Sequence, residues 1–303
     1  MKDMRPIICE VAPRDGFQSI AAPIATDEKI AIILDLIAAG CPRVEIGSFV
    51  SPRAVPQMAD MAEIAAAVRG TPARLSALVP NVRGAENALA AGIDELVYVF
   101  SVSEAHNRNN VRQGVDQSLE GLAQVAAALP GEARLRVAVA TAFDCPFEGT
   151  VPQAAVIEAV RRVAVLVPGA EIALCDTTGR ANPFVVGERF RAAMALPETA
   201  ANGWAFHGHD TYGQGVANAL AAWGAGVCVF DTAAAGLGGC PFAPGATGNT
   251  ATEDLVFAFN EGGHDTGIDL RALLAVADRI ANLPGGVTGG HLRIVPRDRA
   301  AFG

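Results

Sequence analysis

Two histidines one residue apart, His207-Gly208-His209, run straight into Asp210-Thr211-Tyr212-Gly213-Gln214. If Trp204 to His209 is a strand, its side chains alternate between faces, so positions i and i+2 point the same way. Both imidazoles then share one face, and their ring nitrogens can converge on one metal ion. The chain has five histidines, and two of them are here. The weight of the pair depends on which other ligands can be placed beside it.

Arg14-Asp15 is the second chemical pair. Asp15 is the natural carboxylate to join the histidines. Arg14 would be a fixed cation near developing negative charge. On its own the dipeptide reads equally well as a surface ion pair in a turn. Two imidazoles, a carboxylate and an amide oxygen, with positions left open, suit Mg²⁺, Mn²⁺ or another borderline metal. The run from Gly236 to Gly248 is too rich in glycine for strand or helix and reads as a mobile loop carrying Cys240. A thiol on a closing loop can give or take a proton; the alternative is an incidental loop cysteine.

These groups need a frame that brings distant segments to one rim. Candidate strands are Ile7–Val11, Arg43–Ile46, Arg74–Leu78, Glu95–Phe100, Arg134–Ala140, Glu171–Cys175, Trp204–His209 and Val227–Asp231. Candidate helices are Asp27–Ala39, Val55–Val68, Gly84–Ala91, Val115–Ala128, Val151–Val167, Pro183–Met194, Gly213–Ala225 and Thr252–Glu261. Strand and helix alternating eight times predict an α/β fold, a (β/α)8 TIM barrel, with chemistry at the C-terminal ends of the strands. A further amphipathic helix, Leu270–Asn282, packs outside it. The barrel is expected over about 5–262 and a C-terminal extension over 263–303, as one catalytic domain. Thr26-Asp27-Glu28-Lys29 reads as a helix start, and Gly40 and Gly92 as left-handed helix ends. Asn107-Arg108-Asn109-Asn110 reads as a polar loop. A doubly wound sheet is the alternative, but no GxGxxG follows the first strand.

The strand ends carry the ionisable residues: Glu10 to Gln18, Glu45 to Phe49, Asp176 to Gly179, the histidine pair, and Asp231 before the glycine run. Composition sets the outer bounds. The chain has 303 residues, 51% hydrophobic and 18% charged, with net charge −9. Mean hydropathy is +0.30 and the isoelectric point near 5.1. That is a well-cored globular chain whose bulk charge argues against nucleic acid or an anionic membrane as partner. No charge-free apolar run approaches the roughly 18 residues of a membrane span. Met1 to Pro6 leads directly into a strand without a signal-peptide core, so a cytoplasmic location is expected. Six scattered cysteines without a CxxC pair read as reduced thiols.

At these residues the chain resembles the 3-hydroxy-3-methylglutaryl-CoA lyases, metal-dependent enzymes on a TIM barrel. The matching segments are Val11-Ala12-Pro13-Arg14-Asp15-Gly16-Phe17-Gln18, Glu45 to Arg53 with Val55 to Met58, and Pro80-Asn81. They continue through Cys145 to Gly149, Asp176-Thr177, His207 to Gln214, Ala235 to Phe242, and Gly248-Asn249 to Leu255. They occur in family order along almost the whole chain, and the signature around Cys240 is the most specific. The resemblance implies that Asp15, His207, His209 and Asn249 ligate a divalent cation, Mg²⁺ or Mn²⁺. It implies that Arg14 stabilises an enolate, that Cys240 is a loop acid/base, and that Glu45 and Asp176 shape the polar rim. Asp176 would take part in chemistry at the substrate hydroxyl. The implied substrate is an acyl-CoA thioester, 3-hydroxy-3-methylglutaryl-CoA, cleaved to acetyl-CoA and acetoacetate; a homodimer is implied too.

Three positions depart from the family pattern. Ser19-Ile20-Ala21-Ala22 replaces a polar stretch, Ala138 stands for a tyrosine and Ala173 for a serine. Each swap loses a hydrogen-bonding group, and the three are expected around an acyl pocket with more apolar room. A different 3-hydroxyacyl-CoA is therefore the first alternative substrate. Arg53, Arg83, Arg108 and Arg112 are candidates for the phosphates of CoA. A condensing synthase or aldolase of the same barrel group is a second alternative. A non-catalytic metal-binding homologue is a third. A zinc amidohydrolase ranks low, because those barrels carry His-x-His on the first strand.

Overall fold

In the computed structural model, residues 5–131, 133–239, 248–286 and 288–300 are described. Eight parallel strands close into a barrel: Ile7–Glu10, Arg43–Ser48, Arg74–Leu78, Glu95–Ser101, Arg134–Ala140, Glu171–Asp176, Gly203–Gly208 and Val229–Thr232. The first strand pairs with both the second and the eighth, so no edge is left open. Both faces of the sheet are covered: the outward positions are apolar and pack under the helices, while several inward positions carry ionisable side chains. Outward residues such as Ile8, Val44, Leu96, Val137, Ile172 and Phe206 are buried in the main core.

The expected helices are present with shifted ends. Thr26–Ala38 begins with Asp27 and Glu28 in its first turn, where carboxylates complement the helix dipole. Gly40 and Gly92 sit at φ +100° and +83° just beyond helix ends, as their sequence positions suggested. The expected helix Val55–Val68 is instead a short 3₁₀ turn, Pro56–Met58, followed by Met61–Val68. Leu270–Ala281 lies on the outside against Thr26–Ala38, and Arg279 pairs with Glu28 at 2.7 Å.

Several elements escaped the sequence reading, among them the two-stranded hairpin Asp144–Cys145 with Gly149–Thr150. Residues Glu104–Val111 form a helix, although their sequence lacks an apolar stripe. Ser103 caps it by accepting from the His106 amide, and Asn107 is buried against Ser101 and Ser118. Residues Ala12–Gly16 form one π-helical turn rather than a loose turn. Such single turns have no sequence period to betray them and recur at functional sites. Among the described residues no helix is long and apolar enough to cross a membrane, and five cysteines are free thiols.

Candidate active site

Inside the barrel the strand alternation sets the contents. Arg43, Glu95, Arg136, Glu171 and Asp231 reach one another across the lumen. Residues two positions further on therefore also point inward: Glu45, Val97, Ala138 and Ala173. On the seventh strand the inward set is Ala205 and His207, and His209 follows immediately after it.

Asp15, His207 and His209 converge there, with one ligand atom from each lying within 4.8 Å of the others. The two imidazoles stand nearly perpendicular, with centroids 5.1 Å apart. The His209 Nδ1–H is directed to the carbonyls of Asp176 and Thr177, at 3.1 and 2.9 Å. That leaves Nε2 turned toward Asp15 Oδ2 at 3.9 Å, buried and without a hydrogen-bond partner. Asn249 lies alongside because it pairs with His209 in an isolated antiparallel bridge. Its Nδ2 donates to Asp15 Oδ2 at 2.8 Å and to the Leu237 carbonyl at 2.9 Å, while Oδ1 is buried and unpaired. A bare imidazole nitrogen and a bare amide oxygen beside a carboxylate leave lone pairs for which a cation is the natural partner. The donor set thus fits a divalent ion.

Arg14 closes the other side. Its guanidinium reaches Asp15 Oδ1 at 2.5 Å and Glu45 Oε1 at 2.9 Å. Burial favours a neutral Asp15, but Arg14 and the histidines outweigh it and hold the carboxyl well below its usual range. Burial likewise opposes charge on His209, and Asp15 overcomes it, so that imidazole is raised. Glu45 is pushed up by burial, with Arg14 pulling the other way. Asp176 accepts from the Ala181 amide at 3.1 Å and has Oδ1 unpaired; burial pushes its carboxyl up to about 6 against the pull of His209.

Seven of the eight residues singled out from the sequence are thus at one rim. Cys240 lies outside the described residues. The chain leading to it passes directly over the site: a Cβ on Gly238 would stand 2.6 Å from Asn249 Nδ2 and 3.2 Å from Asp15 Oδ2. Only glycine, here at φ +105°, permits that approach. Ala138 and Ala173 are register neighbours on the lumen. Ile20 is buried beside Leu237 at the root of the glycine run, where a Cβ on Gly286 would touch both side chains. Arg53, Arg83, Arg108 and Arg112 are exposed, and Arg108 pairs with Glu104 at 2.6 Å.

Two buried acids that the sequence placed at the strand ends, without a role, join the site. Asp231 meets His207 Nδ1 at 3.2 Å and is held low, at about 2, where Arg136 outweighs the effect of burial. The two-residue alternation of the eighth strand pointed it inward. Glu10 accepts from the amides of Ala12 and Ala234 and from the Thr252 hydroxyl, tying the Arg14-Asp15 turn to the root of the glycine run.

A family model described as HMGL-like matches residues 5–280. The chain belongs to the HMGL-like family. A Chloroflexus aurantiacus protein named (R)-citramalyl-CoA lyase is 43% identical over 89% of this chain and 88% of its own length. Hydroxymethylglutaryl-CoA lyase of Pseudomonas mevalonii is 41% identical over 90% of this chain and 91% of its own. A solved HMG-CoA lyase from Acinetobacter baumannii, in complex with coenzyme A and 3-methylmalate, superposes with a TM-score of 0.89. It is 39% identical and covers 97% of this chain and 96% of that one. The HMGL-like family assignment agrees with the barrel and with the expected class, a carbon–carbon lyase of the hydroxymethylglutaryl-CoA lyase kind; both named relatives are lyases of CoA thioesters.

Proposed function

We propose that this chain is a divalent-metal-dependent lyase that cleaves a 3-hydroxyacyl-CoA, with 3-hydroxy-3-methylglutaryl-CoA as first candidate. The reading is carried by the convergence of Asp15, His207 and His209 on one point with the unpaired Asn249 Oδ1 beside it. These four residues would hold the cation. A bound divalent cation supplies a Lewis acid that eases loss of the proton from the substrate hydroxyl.

The chain's own residues do the rest. Asp176 is the carboxylate assigned to the hydroxyl proton. As the alkoxide collapses to a carbonyl, the C2–C3 bond breaks and its electron pair passes to the thioester enolate. Arg14, fixed by Asp15 and Glu45, neutralises that enolate oxygen without reorganising. Cys240, on the segment beyond Gly238, delivers the proton to C2 that completes acetyl-CoA. The other product is a ketone or keto acid; for the first candidate it is acetoacetate. A single catalytic domain, working as a homodimer in the cytoplasm, completes the reading.

A second substrate reading has its own observation. Val97, Ala138 and Ala173 line the lumen without a hydrogen-bonding side chain, and Ala138 is partly exposed midway along its strand. That wall suits a bulkier or differently shaped acyl group. A panel of 3-hydroxyacyl-CoA thioesters, with products identified by mass spectrometry, decides between them. Acetyl-CoA released fastest from the methylglutaryl thioester supports the first reading, and from another thioester the second. Acetyl-CoA from none of them overturns the lyase assignment.

A further inference from the structure

The histidine pair is held unequally. His209 is oriented by two backbone carbonyls, which cannot change charge or conformation independently of the strand. His207 has a side chain in that place. Its Nδ1 lies 3.2 Å from Asp231 Oδ2, and Asp231 Oδ1 lies 2.7 Å from the Arg136 guanidinium. All three residues are at least nine-tenths buried. His207 and Asp231 are direct neighbours across the seventh and eighth strands, so the contact is set by sheet register rather than by loop conformation.

We propose that Asp231 is a positioning residue: it accepts the Nδ1–H of His207 and so fixes both the ring orientation and the tautomer that leaves Nε2 for a metal ion. The inference rests on the reading of His207 as a ligand. A carboxylate suits this role because it only accepts, which forces the proton onto Nδ1. Arg136 holds the Asp231 carboxylate in place from its other oxygen. Arg136 is anchored in turn through Glu171 at 3.3 Å, which Arg43 grips at 2.8 and 2.9 Å. His207 is thereby braced against the floor of the barrel through a chain of side chains, none of which needs to touch substrate.

The test is Asp231→Asn, an isosteric change whose amide can either accept from or donate to Nδ1. Mn²⁺ affinity is measured by equilibrium dialysis on wild type, Asp231→Asn and His207→Gln, with circular dichroism to confirm the fold. Loss of an outer-shell partner weakens metal binding about 10–100-fold, and that fall is the expected result for Asp231→Asn. In parallel, ¹⁵N-histidine spectra of metal-free wild type report the tautomer directly, with His207 assigned from its absence in His207→Gln. The expected signal is Nδ1–H with a bare Nε2. An Nε2–H tautomer in wild type overturns the inference, whether or not the variant folds. So does an Asp231→Asn protein that binds Mn²⁺ as tightly as wild type. Wild type that binds no Mn²⁺ overturns the metal site itself, and this inference with it.

Discussion

Ala235 holds a left-handed backbone, φ +60°, while its amide donates to the buried Glu253 carboxyl at 3.0 Å. A non-glycine residue in that region costs on the order of 1–3 kcal/mol and persists only where its surroundings hold it. Glu253 is the holder, and Glu10 secures the preceding amide of Ala234. Two buried carboxyls thus fix the strand-to-loop corner beneath the glycine run.

Burial pushes Glu253 up to about 8 and Glu10 up to about 7, against the hydrogen bonds that each accepts. Their folded-state values lie above the ordinary carboxylate value, so the native protein binds more protons than the unfolded chain in between. Their contribution to stability is complete below about pH 4.5 and is lost as pH rises through about 7 to 8. Glu253→Gln mimics the neutral form and should flatten the upper part of this decline. Urea midpoints of both proteins from about pH 5 to about pH 9 measure it. Parallel curves would refute the assignment.

Gly248 at φ +115° is packed so closely that a Cβ there would stand 1.8 Å from the Gly236 carbonyl oxygen. Its own carbonyl accepts from Asp210, and Asn249 follows it. Gly248→Ala should cost about 1–2 kcal/mol in backbone strain alone and displace Asn249. A lowered Tm together with weakened Mn²⁺ binding is the expected pair of results. Unchanged metal affinity would mean that Asn249 is not set by this turn.

Removing metal should remove activity. Protein treated with excess chelator is expected to release no acetyl-CoA, and Mg²⁺ or Mn²⁺ to restore release. Binding also stabilises the native state, by about 2.7 kcal/mol at a hundred times Kd, so Tm should rise on adding the ion. Full turnover in excess chelator would exclude the metal from the reaction.

Arg14→Gln keeps a hydrogen-bonding group and deletes the charge between Asp15 and Glu45. Loss of one preorganised donor to a developing oxyanion typically costs about 10²–10³ in kcat. A fall of that size, at unaltered Mn²⁺ affinity, assigns Arg14 to the enolate. A fall in Mn²⁺ affinity with little change in kcat at saturating metal would make it a mere support for Asp15.

Ala138 is the partly exposed lumen position beside Ala173. Ala138→Phe fills the wall that the second substrate reading requires. The variant should lose kcat/KM on acyl groups bulkier than methylglutaryl by about 10-fold or more, since each misfitted methylene costs about 1 kcal/mol or more. Equal loss on all thioesters would place the acyl group elsewhere.

The barrel was legible because short segments with β-branched and apolar residues at their outward positions alternate with amphipathic helices. The histidine pair was legible because strand alternation alone puts His207 and His209 on one face. Asn249 was not: its place depends on a backbone bridge across forty residues to His209, which no local pattern reports. It entered only through family resemblance. The partnership of Asp231 with His207 depends on strand register, and helix Glu104–Val111 on capping and buried amides rather than on periodicity.

The column of charge through the lumen has a bearing on electroneutrality. From floor to rim it comprises the guanidinium groups of Arg43, Arg74, Arg136 and Arg14 and the carboxylates of Glu95, Glu171, Asp231, Glu45 and Asp15. Four cationic side chains face five anionic ones, so the column with all groups ionised carries one uncompensated negative charge. Most of these groups are buried, so the excess negative charge is poorly met by solvent counterions, and a divalent ion at the Asp15 end would offset it.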